Sequence, residues 1–116
     1  MTGAPGLRQV VLRETRDARG TRHLEARLKD DDGIVIEGQD LGSGVEALGA
    51  GFSEYEWAWT IGSDQVPAAV AALGGSAVDD PLRVLANWSA VHNGADPGSD
   101  LREAGVSIGF WSRVEE

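Results

Sequence analysis

The chain has 116 residues, 19 of them acidic and 10 basic, for a formal net charge of −9. That length fits one ordinary domain and excludes two independent cores. The absence of cysteine removes disulfides, thiolate metal ligands and cysteine nucleophiles, and the acidity argues against non-specific nucleic-acid binding, which needs clustered cations.

Residues 1–6 hold two glycines and a proline and read as a loose start. Arg8 to Thr15, with Val10, Val11 and Leu12, reads as a first strand. Asp17-Ala18-Arg19-Gly20 is turn-like, with Gly20 able to take a positive φ. From Thr21 to Lys29 the pattern alternates, placing Leu24, Ala26 and Leu28 on one face and His23, Glu25 and Arg27 on the other. Asp30-Asp31-Asp32-Gly33 predicts a turn with Gly33 in the left-handed position, and Gly33 to Gln39 a third strand. Asp40 to Gly51 carries four glycines and reads as a loop, with room for one helical turn over Val45 to Leu48.

Glu54 to Ile61 has the clearest strand pattern in the chain. Tyr55, Trp57, Trp59 and Ile61 share one face, suited to cover by helices, and Glu54, Glu56, Ala58 and Thr60 share the other. A helix capped by Ser63 or Asp64 then runs to Leu73 and stops at Gly74-Gly75. Asp80-Pro81 is a cap followed by an N1 proline, opening a second helix to about His92. Its apolar stripe is Leu82, Leu85 and Trp88, with Val84 and Val91 beside it, and Asn93-Gly94 ends it. Ser99 caps a short helix over Asp100 to Ala104, and Val106 to Val114 is a last strand. Strands grouped before helices predict a single α+β domain over 1–116, an antiparallel sheet of about five strands with two or three helices on one face.

The charge is unevenly spread. Residues 1–29 carry seven cations and three acids, a surplus of +4, and the remainder carries −13. Pairing of a basic strand with acidic neighbours in one sheet accounts for such a split most simply. A two-signed surface that docks a cationic partner is the functional counterpart.

Motifs of catalysis are sparse. Gly38, Gly42 and Gly44 match neither a P-loop nor a dinucleotide fingerprint, and no Gly-x-Ser-x-Gly is present. The three adjacent aspartates at 30–32 lack the alternating ligand spacing of a calcium loop. His23 and His92 fall on different elements, and His92 suits a helix C-terminus. No cofactor, metal or catalytic residue is assigned. Glu54 and Glu56 share a strand face roughly 7 Å apart by strand rise, a spacing that acid/base chemistry and an ordinary solvated strand have in common. Glu37 and Asp40 join them in an acidic patch if the strands are neighbours. Trp57, Trp59 and Trp88 point inward by pattern, while Trp111 shares a face with Arg113, a pair of the kind enriched in interface anchors.

The segments Leu24 to Leu28, Val35 to Gly42, Glu54 to Trp57 and Phe110 to Arg113 resemble a group of small uncharacterised bacterial proteins with EGQDLG, EYEW and FWS stretches. The resemblance spans roughly residues 22–113 and implies no activity or catalytic residue. In kind, the small acidic helix-on-sheet domain is similar to immunity proteins.

The function expected from these residues is a small acidic protein-binding module, an immunity or inhibitor protein that masks a basic partner such as a toxin. Its contact residues are Glu37, Asp40, Glu54, Glu56, Trp111 and Arg113. The alternatives are a homo-oligomeric accessory protein with Trp111 at a two-fold interface, and a small-ligand or enzymatic domain using the Glu54/Glu56 face with His23 lining a cleft. Met1 to Leu7 lacks the pattern of a secretory leader, and the longest largely apolar stretch, Val66 to Gly75, falls far short of a membrane span. A cytoplasmic location without membrane or nucleic-acid partners is therefore expected.

Overall fold

The computed structural model describes residues 6–18, 20–42 and 54–115, with residue 115 described for its backbone alone. Four strands come first: β1 (Gln9–Asp17), β2 (Gly20–Leu28), β3 (Ile34–Leu41) and β4 (Glu54–Ile61). A 3₁₀ turn over Ser63–Gln65 leads into α1 (Val66–Ala72), then α2 (Pro81–Val91), α3 (Gly98–Glu103) and β5 (Gly109–Glu115). The strands form one antiparallel sheet in the order β1-β2-β3-β4-β5, each paired with its neighbours in sequence. The fold is α+β, as the element order predicts.

Strand alternation decides where the core lies. Leu24, Ala26, Ile34, Ile36, Trp57, Trp59 and Ile61 occupy one face and are buried against Ala69, Leu82, Leu85 and Leu101 of the three helices. Each of the leucines and isoleucines among them contributes about 1.5–3 kcal/mol on burial. The two tryptophans fit because glycines face them. A Cβ on Gly38, the register partner of Trp57, would lie 2.1 Å from the indole, and one on Gly98 would lie 2.1 Å from that of Trp59.

Both indole N–H groups converge on one acceptor. Trp57 Nε1 donates to Asp96 Oδ2 at 2.6 Å and Trp59 Nε1 to the same oxygen at 2.9 Å. Asp96 Oδ1 accepts from the Gly98 N–H at 2.9 Å, which ties the start of α3 to the sheet.

Several local expectations are corrected. In the 30–33 turn, closed by the Asp32 N–H to the Lys29 carbonyl at 3.0 Å, Asp32 takes the left-handed position with φ 68°, rather than Gly33. Gly33 is needed for space instead, since a Cβ there would lie 2.8 Å from the Ile61 carbonyl oxygen. Strand β3 continues to Leu41, so Asp40 belongs to the sheet and not to a loop. The helical turn expected over Val45 to Leu48 lies outside the described residues.

In α2 the inward stripe is Leu82, Leu85 and Ser89, whose Oγ donates to the Ala95 carbonyl at 2.8 Å. Trp88 is only half-buried and stacks on His92 with ring centroids 4.1 Å apart, and Val91 is exposed. After Leu82 and Leu85, positions 88 and 89 are equally good helical continuations, and packing selects the smaller residue. Helix α3 starts at Gly98, which places Ser99 inside it rather than at its cap. Strand β5 starts at Gly109, because the Val106 N–H is bonded to the Leu101 carbonyl at the end of α3.

Strand β1 carries a bulge. The register moves from Val11↔Glu25 to Arg13↔Leu24, leaving Leu12 as the extra residue. Past this point the facing pattern is reversed: Arg13 reaches Gly94 after α2, with Nη1 3.5 Å from its carbonyl, and Glu14 turns to the open face beside His23.

Candidate functional site

The face of the sheet away from the helices carries polar rows that run across all five strands. One row is Glu14, His23, Gln39, Glu56 and Arg113; the next is Val11, Glu25, Glu37, Ala58 and Trp111. Ala58 is the small residue between Glu37 and Trp111, and the gap it leaves becomes a depression of about 230 Å³ rimmed by His23, Glu25, Glu37, Glu56 and Trp111.

Neighbouring side chains organise the rim. Arg113 Nη2 donates to Glu56 Oε2 at 3.0 Å, and Arg27 Nη2 to Glu37 Oε1 at 2.7 Å. Gln39 Nε2 reaches Glu54 Oε2 at 2.9 Å and Glu56 Oε1 at 3.3 Å, joining the two carboxyl groups from the adjacent strand. His23 sits between Glu25, 3.0 Å from Nε2, and Glu14, 3.4 Å from Nδ1. The pairing of basic and acidic strands is thus visible at Arg27–Glu37, and Arg13 and Arg22 also act electrostatically on Asp40.

Glu54 and Glu56 also act on each other. A hydrogen bond between their carboxyl groups pushes Glu56 above and Glu54 below the ordinary carboxylate value. The proton they share belongs to the pair. Gln39 adds to the lowering at Glu54, and the Arg113 charge partly offsets the rise at Glu56.

Of the residues singled out from sequence, Glu37, Glu54, Glu56, Trp111 and Arg113 all stand on the open face. Trp111 is 52% exposed, and the Arg113 guanidinium carbon lies 5.9 Å from its ring centroid. Asp40 does not join them. It pairs with Arg22 and Tyr55 in the row facing the helix layer, because residues 37 and 40 of one strand differ by an odd number. Burial raises the Asp40 carboxyl above its usual range, and Arg13 and Arg22 pull the other way.

Glu25 and Gln39 complete the face without having been singled out, and His23, expected beside the Glu54/Glu56 strand only in the small-ligand alternative, stands there too. The alternation of β2 already placed His23 and Glu25 on the polar side, and that was the available signal. Glu14 could not be read so, since its side depends on the bulge. Asp96, the shared acceptor for two tryptophans, had only the Asp-Pro-Gly turn signal to mark it.

Among the described residues, no group of three or more histidines and carboxylates is arranged to hold a metal ion, and no helix is long and apolar enough to cross a membrane. No protein-family model, curated protein or solved structure matches this chain.

Proposed function

We propose that this chain is a small protein-binding module of the immunity or inhibitor kind, whose open sheet face docks a partner with a basic surface. The observation that carries this is the joint placement of Glu25, Glu37 and Glu56 around a depression with Trp111 at its rim, with Glu54 on the same face beside Glu56. A field of carboxylates speeds encounter with a cationic surface. An exposed tryptophan beside an arginine supplies the apolar anchor that slows dissociation.

A small-ligand or enzymatic role is less well supported. The depression, at about 230 Å³, is smaller than the roughly 300–1,000 Å³ of ordinary ligand pockets. Its carboxyl groups are also largely engaged with Arg27, Arg113, Gln39 and His23.

The test is affinity capture from the source cells on the immobilised full chain, comparing wild type with the combined Glu37→Gln, Glu54→Gln and Glu56→Gln variant. A basic protein retained by wild type, released by raised salt and lost with the variant is the expected result. Equal retention by both chains, or no dependence of association rate on ionic strength, refutes the reading.

A further inference from the structure

The two edges of the sheet are unequally protected. Strand β1 is bulged at Leu12 and carries Arg13, Glu14, Arg16 and Asp17, features that discourage pairing with another strand. Strand β5 runs seven residues in unbroken register with β4, from Gly109↔Thr60 to Glu115↔Glu54, with no bulge and no proline. Among the described residues nothing lies beyond it in the sheet. Phe110, Trp111 and Val114 stand exposed along it.

We infer that β5 pairs with β5 of a second copy, antiparallel about a two-fold axis normal to the sheet at Ser112. Such an axis keeps the helix layers of both copies on the same side and makes the contact self-complementary. Ser112 is the midpoint of Gly109–Glu115, so this register uses the whole strand.

The resulting pairs are compatible. Trp111 lies opposite the partner's Arg113 on the open face, twice over by symmetry, repeating between copies the cation–ring contact already present within one strand. Phe110 lies opposite the partner's Val114 on the other face, an aromatic–β-branched pair. Moving the axis to Arg113 sets two guanidinium groups directly opposite each other, which disfavours that register. The open face continues across the junction, so the dimer doubles the acidic surface without covering it.

Sedimentation velocity of the full chain over a wide concentration range is the first measurement. A reversible dimer is expected, and a monomer throughout overturns the inference. Trp111→Lys opposes two cations and should weaken the dimer about tenfold or more, and adding Arg113→Glu should restore it. A dimer indifferent to Trp111→Lys uses another surface and equally overturns the inference.

Because the chain has no cysteine, Ser112→Cys gives an independent readout of register. Opposed residues at the axis lie within disulfide reach, so oxidation should link this variant into covalent dimers faster than Val91→Cys on exposed α2. Equal rates count against the β5 contact. Partner capture is read with glutamate variants alone, so failure of the dimer and failure of the proposed function are separable.

Discussion

At the scale of single residues, the two tryptophan–glycine contacts set the tightest constraints. Gly38 and Gly98 have ordinary φ values, so their requirement is for space. Gly38→Ala or Gly98→Ala forces an indole to move and should cost about 1–3 kcal/mol, the usual range for overpacking. Urea denaturation followed by tryptophan emission measures this. Asp96→Ala tests the other side of the same packing, since it strips the partner from two indole donors and one backbone N–H. A buried donor left alone costs about 1–3 kcal/mol, so a loss of at least about 2 kcal/mol is expected, with a shift in emission. Asp96→Asn keeps one oxygen and should fall between that variant and wild type. On the open face the expected change has the opposite sign. The folded state holds the Glu56 carboxyl above its unfolded value, so its favourable contribution is complete at low pH and disappears as pH rises through the raised value. Glu56→Gln does not titrate and its amide can donate to Glu54. The variant should therefore gain stability relative to wild type as pH rises toward neutrality and lose that advantage in acid, as urea midpoints across pH will show.

At the scale of elements, capping and strand parity explain both what the sequence reveals and what it hides. Asp80 was legible as a cap because an acceptor before an N1 proline has few other uses, and its Oδ1 does accept from the Leu82 N–H at 3.2 Å. Its second role was hidden: Oδ2 accepts from the Leu7 N–H at 2.7 Å and fastens the chain before β1 to α2. Asp80→Ala should cost about 1–2 kcal/mol, at the upper end for a lost cap. Asp80→Ser should recover the cap without the fastening, and proteolysis near Leu7 separates the two effects. Strand β4 was legible to its exact ends because four large apolar residues alternate with small or acidic ones. The candidate site was legible wherever alternation held, which is why Glu37, Glu54, Glu56, Trp111 and Arg113 fall on one face. It failed at Asp40, where two more residues of β3 moved the side chain to the helix side, and at Glu14, where one bulged residue reversed the pattern. Neither depends on local propensity. Both follow from pairing with a strand elsewhere in the chain, which periodicity along one segment does not contain.

At the scale of the whole molecule, the −9 charge sets two opposing electrostatic terms against each other. Arg27–Glu37 and Arg113–Glu56 are solvent-exposed ion pairs, and such pairs contribute only about 0.2–1 kcal/mol and weaken in salt. Against them, Glu14, Glu25, Glu37, Glu54 and Glu56 stand together on one face, and the chain beyond residue 29 carries a surplus of −13. Unfolding spreads those charges apart and relieves their repulsion. Salt screens both terms over the same distance, about 10 Å at 0.1 M, so the sign of the salt effect reports which is larger. Like charges here outnumber opposed ones, and stability in urea should therefore rise as sodium chloride is added from low ionic strength. The combined Glu37→Gln, Glu54→Gln and Glu56→Gln variant removes most of the repulsive term together with both pairs, and its midpoint should move less with salt than that of wild type. A midpoint that falls with salt in wild type would mean that the pairs outweigh the repulsion. The open face would then be internally balanced, with little field left over to attract a basic partner, and the same measurement would weaken the proposed function along with the electrostatic account of stability.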